Sequence, residues 1–322
     1  MPEASPDALF LSGVVAVVVT WNPDLKAFRA ALASYATACQ VVIVDNGSDP
    51  AIVAALGSLE SETCVLIAAN ANRGIATALN AGIEAGGRWA PEYYFLLDQD
   101  SVLEAGALAR LVEASQALTS KGVRTPVVGP LPVAYGDGMA IGMYQDIPPP
   151  AEGAVGSAVE SLYTSGMLVP AALALDARQA DAFFIDYVDT EWCYRVRALF
   201  GAEMFLVPSA RIFHQVGDSA LPLGQLRKRP LLVHRPLRQY FQLRNALWML
   251  RLAYIPWFAR IRMAGRCLAR VIVLSICVAP RGLRARYVAC AIIDGIRGQS
   301  GNRTFLPEEA RLQRINVANL LR

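Results

Sequence analysis

Tyr93-Tyr94-Phe95-Leu96-Leu97-Asp98-Gln99-Asp100-Ser101 is the stretch from which the rest of the chain is read. Five apolar or aromatic residues give way abruptly to a polar turn, the pattern of a buried strand that ends at an open crevice. Two carboxylates one residue apart at such an end can both reach a single hard divalent cation. Alone, the triplet describes many solvated turns; the strand before it gives it weight.

Upstream the same pattern repeats. Val14–Thr20 (VVAVVVT), Gln40–Val44 and Cys64–Ala68 read as buried strands. Leu25–Thr37, Ile75–Glu84 and Ala105–Leu118 read as helices between and after them. Continuous β-branched runs alternating with helices predict an α/β fold, a mainly parallel central sheet with helices on both faces. Ligands of such sheets sit beyond the carboxyl ends of the strands. Asp45-Asn46-Gly47-Ser48 and Asp98–Ser101 both fall there, so two strand ends point at one crevice.

Residues 121–160 are rich in Pro and Gly and contain a strand, Val127–Val133, and a long loop; Met204–Val207 is a further strand. From about Arg238 the pattern turns helical and basic. Residues 227–297 hold fifteen Lys/Arg and one acidic residue, Asp294, although the whole chain of 322 residues balances at +3. An acidic body therefore carries a basic, apolar extension. The chain is 54% hydrophobic and 18% charged, the composition of a packed globular protein rather than a disordered one. Its N-terminus lacks the basic start of a signal peptide and no run of about 18 apolar residues is present, so a cytoplasmic location is expected. Six cysteines without CxxC spacing read as reduced thiols, and two histidines are too few for a histidine-rich metal site.

Several further residues carry candidate chemistry. Asp45 either accepts a hydrogen bond from the imide N–H of uracil or thymine or closes an Asx turn. Arg73, beside a helix N-terminus, either faces a nucleotide phosphate or is an ordinary surface arginine. Asp186 and Asp189, at i and i+3, would share a face of a helical turn. A carboxylate in that partly apolar stretch suits a general base, and acids favoured at a helix N-terminus are the competing reading. His214 is either a structural hydrogen-bonder or a third metal or phosphate contact.

Taken together, Val18-Val19-Thr20-Trp21-Asn22-Pro23, Val44–Ser48, Asn72-Arg73-Gly74 through Asn80, Leu97–Ser101 and Phe184–Arg195 resemble the family 2 inverting glycosyltransferases of GT-A fold, and among them the bacterial rhamnosyltransferases. The resemblance implies a catalytic domain over 1–225, with a nucleotide-sugar half at about 14–120 and an acceptor half at about 121–225, and a helical extension over 226–322. It implies a nucleotide-sugar donor, dTDP-L-rhamnose by preference or a UDP-sugar, with Mg²⁺ or Mn²⁺. Thr20, Asp45, Arg73, Asp98 and Asp100 would bind the donor, with Asp98, Asp100 and His214 serving the metal. Asp189 would be the base, and Ser165, Gly166 and Asp186 would line the acceptor side. Val188 stands where the family usually has Glu, which leaves neighbouring acceptor contacts open. Arg244-Asn245 resembles a pair found after the catalytic body in related rhamnosyltransferases.

Arg262, Arg266 and Arg270 recur at i, i+4, i+8, with Ile261, Ala264, Leu268, Val271 and Ile272 around them. The helical extension is read as lying on the inner face of the cell membrane, which suits a lipid-linked or glycolipid acceptor; a packed subdomain or homo-oligomer interface is the alternative. Nucleic acid is not expected as a partner, because the basic residues are interleaved with long aliphatics. A dinucleotide-binding oxidoreductase is disfavoured, since Thr20-Trp21-Asn22-Pro23 stands where G-x-G-x-x-G belongs. Intact Asp98, Asp100 and Asp189 argue against a non-catalytic scaffold.

Overall fold

The computed structural model describes residues 10–135, 138–148, 150–213, 220–221 and 231–300. Contacts divide the chain into two units, Met1–Ala180 with Asp189–Gln215, and Asp181–Val188 with Val216–Arg322.

The first unit is built on a nine-stranded sheet. Its parallel half runs β3 (Cys64–Ala68), β2 (Gln40–Asp45), β1 (Val14–Thr20), β4 (Tyr93–Asp98). Every residue of β1 is buried. Val14, Ala16 and Val18 face one core and Val15, Val17 and Val19 the other. Continuous burial explains why a run of β-branched residues, without alternation, forms this strand. Helices α1 (Leu25–Ala33), α2 (Pro50–Gly57) and α4 (Ala107–Ser120) contribute to the first core. Helices α3 (Ile75–Gly86), α5 (Ala171–Asp176) and α6 (Val188–Phe200) contribute to the second. Asp24 caps α1, its Oδ1 accepting from the Ala27 amide at 2.9 Å.

The other half of the sheet adds antiparallel strands to the parallel arrangement that the sequence predicts. β8 (Met167–Pro170) lies antiparallel to both β4 and β6 (Pro126–Val133). β9 (Glu203–Phe213) pairs parallel with β6 and antiparallel with β5 (Val102–Leu103) and β7 (Ser157–Val159). For the β6–β8 pair the reason is connectivity. A parallel pair needs a crossover, usually a helix, and the chain between β6 and β8 supplies no α-helix among its described residues. α2 is an element that the sequence reading does not contain.

Two glycines let α3 lie close on the sheet. A Cβ on Gly82 would stand 2.3 Å from Val17 Cγ1, and one on Gly86 would stand 2.8 Å from Val15 Cγ1.

In the second unit, α7 (Pro236–Met249), α8 (Trp257–Cys277) and α9 (Arg281–Arg297) enclose Tyr240, Phe241, Leu243, Cys267, Val271, Tyr287 and Ala291. Tyr240 donates to Asp294 Oδ2 at 2.7 Å, so the one acid of the basic segment is buried and bonded. Among the described residues no helix is long and apolar enough to cross a membrane.

Gly82→Val is expected to destabilise the protein by about 1–3 kcal/mol through overpacking against Val17 and Val44, read as a shift in a urea unfolding curve.

Candidate functional site

The carboxyl ends of β1, β2 and β4 meet in register, with Thr20 opposite Asp45 and Val19 opposite Asp98. Asp45 is wholly buried. Its Oδ1 accepts from the Thr20 hydroxyl at 3.2 Å and from the Ser48 hydroxyl. Its Oδ2 accepts from the amides of Gly47 and Ser48 at 3.2 and 2.9 Å. Four donors on four lone-pair positions hold a buried carboxylate and fix the turn after β2, so the Asx-turn geometry is what the backbone adopts. Gly47 has φ +83°, and a Cβ there would lie 2.5 Å from the Ala71 carbonyl carbon, so only glycine fits.

The neighbouring loops are stitched to that turn. Asn46 donates to Asn72 Oδ1 at 3.1 Å and accepts from the Arg73 amide at 2.9 Å. The Arg73 side chain is exposed just ahead of α3. Asn80 exchanges two hydrogen bonds with the Gln179 backbone, at 2.9 and 2.8 Å, and thus serves packing. The Trp21 amide donates to Gln99 Oε1 at 2.8 Å, which ties the β1 loop to the turn after β4.

That turn presents Asp98, half-buried at the strand end, and Asp100, exposed. The Ser165 hydroxyl accepts from the Asp98 amide at 3.4 Å and contacts the Ser101 hydroxyl. Next to it, the Thr164 amide donates to Asp189 Oδ2 at 3.4 Å, while Thr190 donates to Oδ1 from its amide at 2.6 Å and its hydroxyl at 3.2 Å. Thr164 and Ser165, adjacent in sequence, therefore contact Asp189 and the Asp98 loop respectively. Gly166, at φ +90°, donates to the Leu96 carbonyl at 2.8 Å and packs on Pro130, completing the same junction.

Asp189 sits at the start of α6, near the phenols of Tyr144 and Tyr163 and the thiol of Cys193. Burial raises the phenols of Tyr144 and Tyr163 above the usual range, with the charge of Asp189 adding to the effect. Burial likewise pushes the Cys193 thiol up to about 12. Each of these three groups stays neutral at pH 7. Glu191, in the same turn, is taken by Arg195 at 2.7 Å.

Asp186 does not share a helical turn with Asp189. Phe184, Asp186 and Tyr187 all have positive φ, and α6 begins only at Val188. Asp186 belongs to the second unit, where its carboxylate accepts from Arg238 at 3.1 Å and from Gln242 at 3.4 Å. Arg244 and Asn245 hold this turn from α7. Asn245 aims its amide nitrogen at the carbonyls of Phe183, Ile185 and Asp186 at 2.8–2.9 Å. Arg244, fully buried, donates to the Phe183 carbonyl at 3.1 Å and lies over the rings of Trp248 and Phe241 at 4.7 and 4.9 Å. Aromatic faces offset part of the cost of burying that cation. The sequence singles out the pair but not its role, because the carbonyls it holds lie some sixty residues away. His214 lies outside the described residues.

Comparison with known proteins gives this geometry a context. The family model of glycosyl transferase family 2 matches residues 16–130. A dTDP-rhamnosyl transferase, RfbF of Shigella flexneri, is 27% identical over 303 residues, covering 90% of this chain and 97% of its own. S. aureus TarS 1–349 in complex with UDP-GlcNAc superposes with a TM-score of 0.53 at 14% identity, over 88% of this chain and 80% of that one. GalNAc-T7 with UDP, GalNAc and Mn²⁺ superposes with a TM-score of 0.51 at 12% identity, over 82% of this chain and 55% of that one. The two superpositions show a shared fold.

Asn245→Leu is expected to cost about 1–3 kcal/mol of stability by stranding buried carbonyls, measured by chemical denaturation.

Proposed function

We propose that this chain, a glycosyltransferase belonging to glycosyl transferase family 2, transfers L-rhamnose from dTDP-L-rhamnose to a hydroxyl of a lipid-linked glycan or glycolipid, with inversion. The observation that carries the reading is the junction at Thr164–Ser165, which contacts the Asp98 loop on one side and Asp189 on the other. Similarity to the Shigella enzyme along nearly the whole chain supports the choice of donor.

A hard divalent cation, Mg²⁺ or Mn²⁺, fits the turn after β4. Asp98 and Asp100 offer two oxygen donors there, and Gln99 between them is engaged by the Trp21 amide. Among the described residues no cluster of three His, Cys, Asp or Glu completes a shell, so phosphate oxygens and water would fill it. When bound, the cation supplies Lewis-acid stabilisation of the departing diphosphate. Arg73, exposed just ahead of α3, would face the phosphates with its guanidinium. Thr20 and Asp45 form the floor of the nucleoside site; with both oxygens of Asp45 already accepting two bonds, its contribution is to fix the turn on which the nucleoside rests. Ser165 and Gly166 line the acceptor side.

Asp189 is the base. Its carboxylate takes the proton of the acceptor hydroxyl as that oxygen bonds to the anomeric carbon, while the bond from that carbon to the phosphate oxygen breaks and the nucleoside diphosphate leaves. One displacement inverts the centre. Thr190 and the Thr164 amide orient the carboxylate without neutralising it. Positioning of the two substrates and charge stabilisation on the leaving group supply most of the rate.

Asp189→Ala is expected to lower turnover by about 10²–10⁴-fold and to leave thermal protection by dTDP-L-rhamnose with Mg²⁺ intact. Unchanged transfer would remove the base assignment. Protection by UDP-glucose equal to that by dTDP-L-rhamnose would remove the choice of donor, and protection that survives chelation would remove the cation.

A further inference from the structure

Helix α8 has two apolar sides, and the second unit uses only one of them. Ala259, Cys267, Val271 and Leu274 turn inward and are buried. Trp257, Ile261, Leu268, Ile272 and Ile276 turn outward, with exposures of 67, 60, 51, 49 and 64%. At 100° per residue these five fall within an arc of about 100°, a continuous stripe along a helix about 31 Å long. The sequence pattern alone merges the two sides, since it counts Val271 with Ile261, Leu268 and Ile272.

Charge borders the stripe on one edge. Arg262 and Arg266 are exposed beside it, and α8 contains no acidic residue at all. α9 repeats the design, exposing Ile292, Ile293 and Ile296 with Arg286 and Arg297. A run of large aliphatic side chains along one helix face exceeds the scattered apolar exposure that a solvent-facing surface carries.

We infer that the outward face of α8, assisted by that of α9, docks on an anionic lipid bilayer, with its apolar stripe at the acyl boundary and its arginines among the headgroups. Charge decides between the candidate occupants. A symmetric contact between two copies would set one acid-free, arginine-bordered face against another and bring like charges together. Anionic headgroups instead neutralise the border, each arginine adding to the attraction. Trp257 at the start of the helix suits the water–lipid boundary, where indole rings concentrate. The helix lies on the surface rather than spanning it, consistent with the absence of a crossing helix among the described residues.

The test is co-sedimentation of the full chain with phosphatidylcholine vesicles and with mixed phosphatidylcholine–phosphatidylglycerol vesicles, without any sugar donor, so that it stands apart from the transferase reading. Wild-type protein is expected to bind the mixed vesicles, to bind phosphatidylcholine weakly, and to release as salt rises. Leu268→Glu/Ile272→Glu should bind about a hundredfold more weakly with an unchanged melting temperature, since both side chains are exposed. Arg262→Gln/Arg266→Gln should keep the fold and lose the preference for phosphatidylglycerol. Wild-type binding to neither vesicle would overturn the inference, as would variants that bind like wild type. A wild-type dimer in light scattering that Leu268→Glu/Ile272→Glu splits, with no vesicle binding, would also overturn it and assign the face to a second copy.

Discussion

The contact between the Ser165 and Ser101 hydroxyls, with the Asp98 amide on the same Ser165 oxygen, organises the site. Ser165 follows Thr164, whose amide reaches Asp189, and precedes Gly166, whose amide is bound to β4 at Leu96. Three consecutive residues thus connect the strand end bearing two carboxylates to the helix start bearing a third. Gly166 is indispensable to this path: its φ of +90° and a would-be Cβ at 2.5 Å from Pro130 Cγ admit no side chain. The geometry is short-range throughout, made of backbone amides and hydroxyls rather than long flexible side chains. Such a support is built from short side chains and the backbone itself.

The parallel half of the fold is legible in the sequence because its signals are local. β1, β2, β3 and β4 are uninterrupted apolar runs, and the polar clusters that end β2 and β4 fall at the carboxyl end of the parallel strands. The antiparallel half is less legible. β8 is four residues long and takes its direction from where the intervening loop returns, a matter of connectivity rather than of composition. α2 escapes the reading because its eight residues, PAIVAALG, are too short for helical periodicity to stand out. The 184–187 turn shows the opposite failure. Spacing of i and i+3 suggests a helix, but three residues with positive φ, held by Asn245 from α7, prevent one.

Within the site, residue types gave away more than roles did. Asp98, Asp100 and Asp189 stand out as acids in apolar stretches, and the structure brings their loops to a common junction. Asp45 stands out equally, but its full burial and its four donors become visible only when the Thr20 and Ser48 hydroxyls are placed against it. Ser165 carries almost no signal as a letter in a sequence, because a small hydroxyl residue acquires meaning only from the two elements it joins. The basic extension divides in a similar way. Its charge is plain from composition, whereas the sorting of α8 into an inward face at Val271 and Leu274 and an outward one at Leu268 and Ile272 needs the neighbouring helices.

Crystals soaked with Mn²⁺ and dTDP-L-rhamnose, with the anomalous signal of manganese located directly, test the convergence of the three aspartates most sharply. The account predicts one manganese peak at the carboxylates of the Asp98–Asp100 turn, with the sugar of the donor turned toward the Asp189 carboxylate. Manganese held elsewhere, or a sugar whose anomeric carbon is turned away from Asp189, would contradict it.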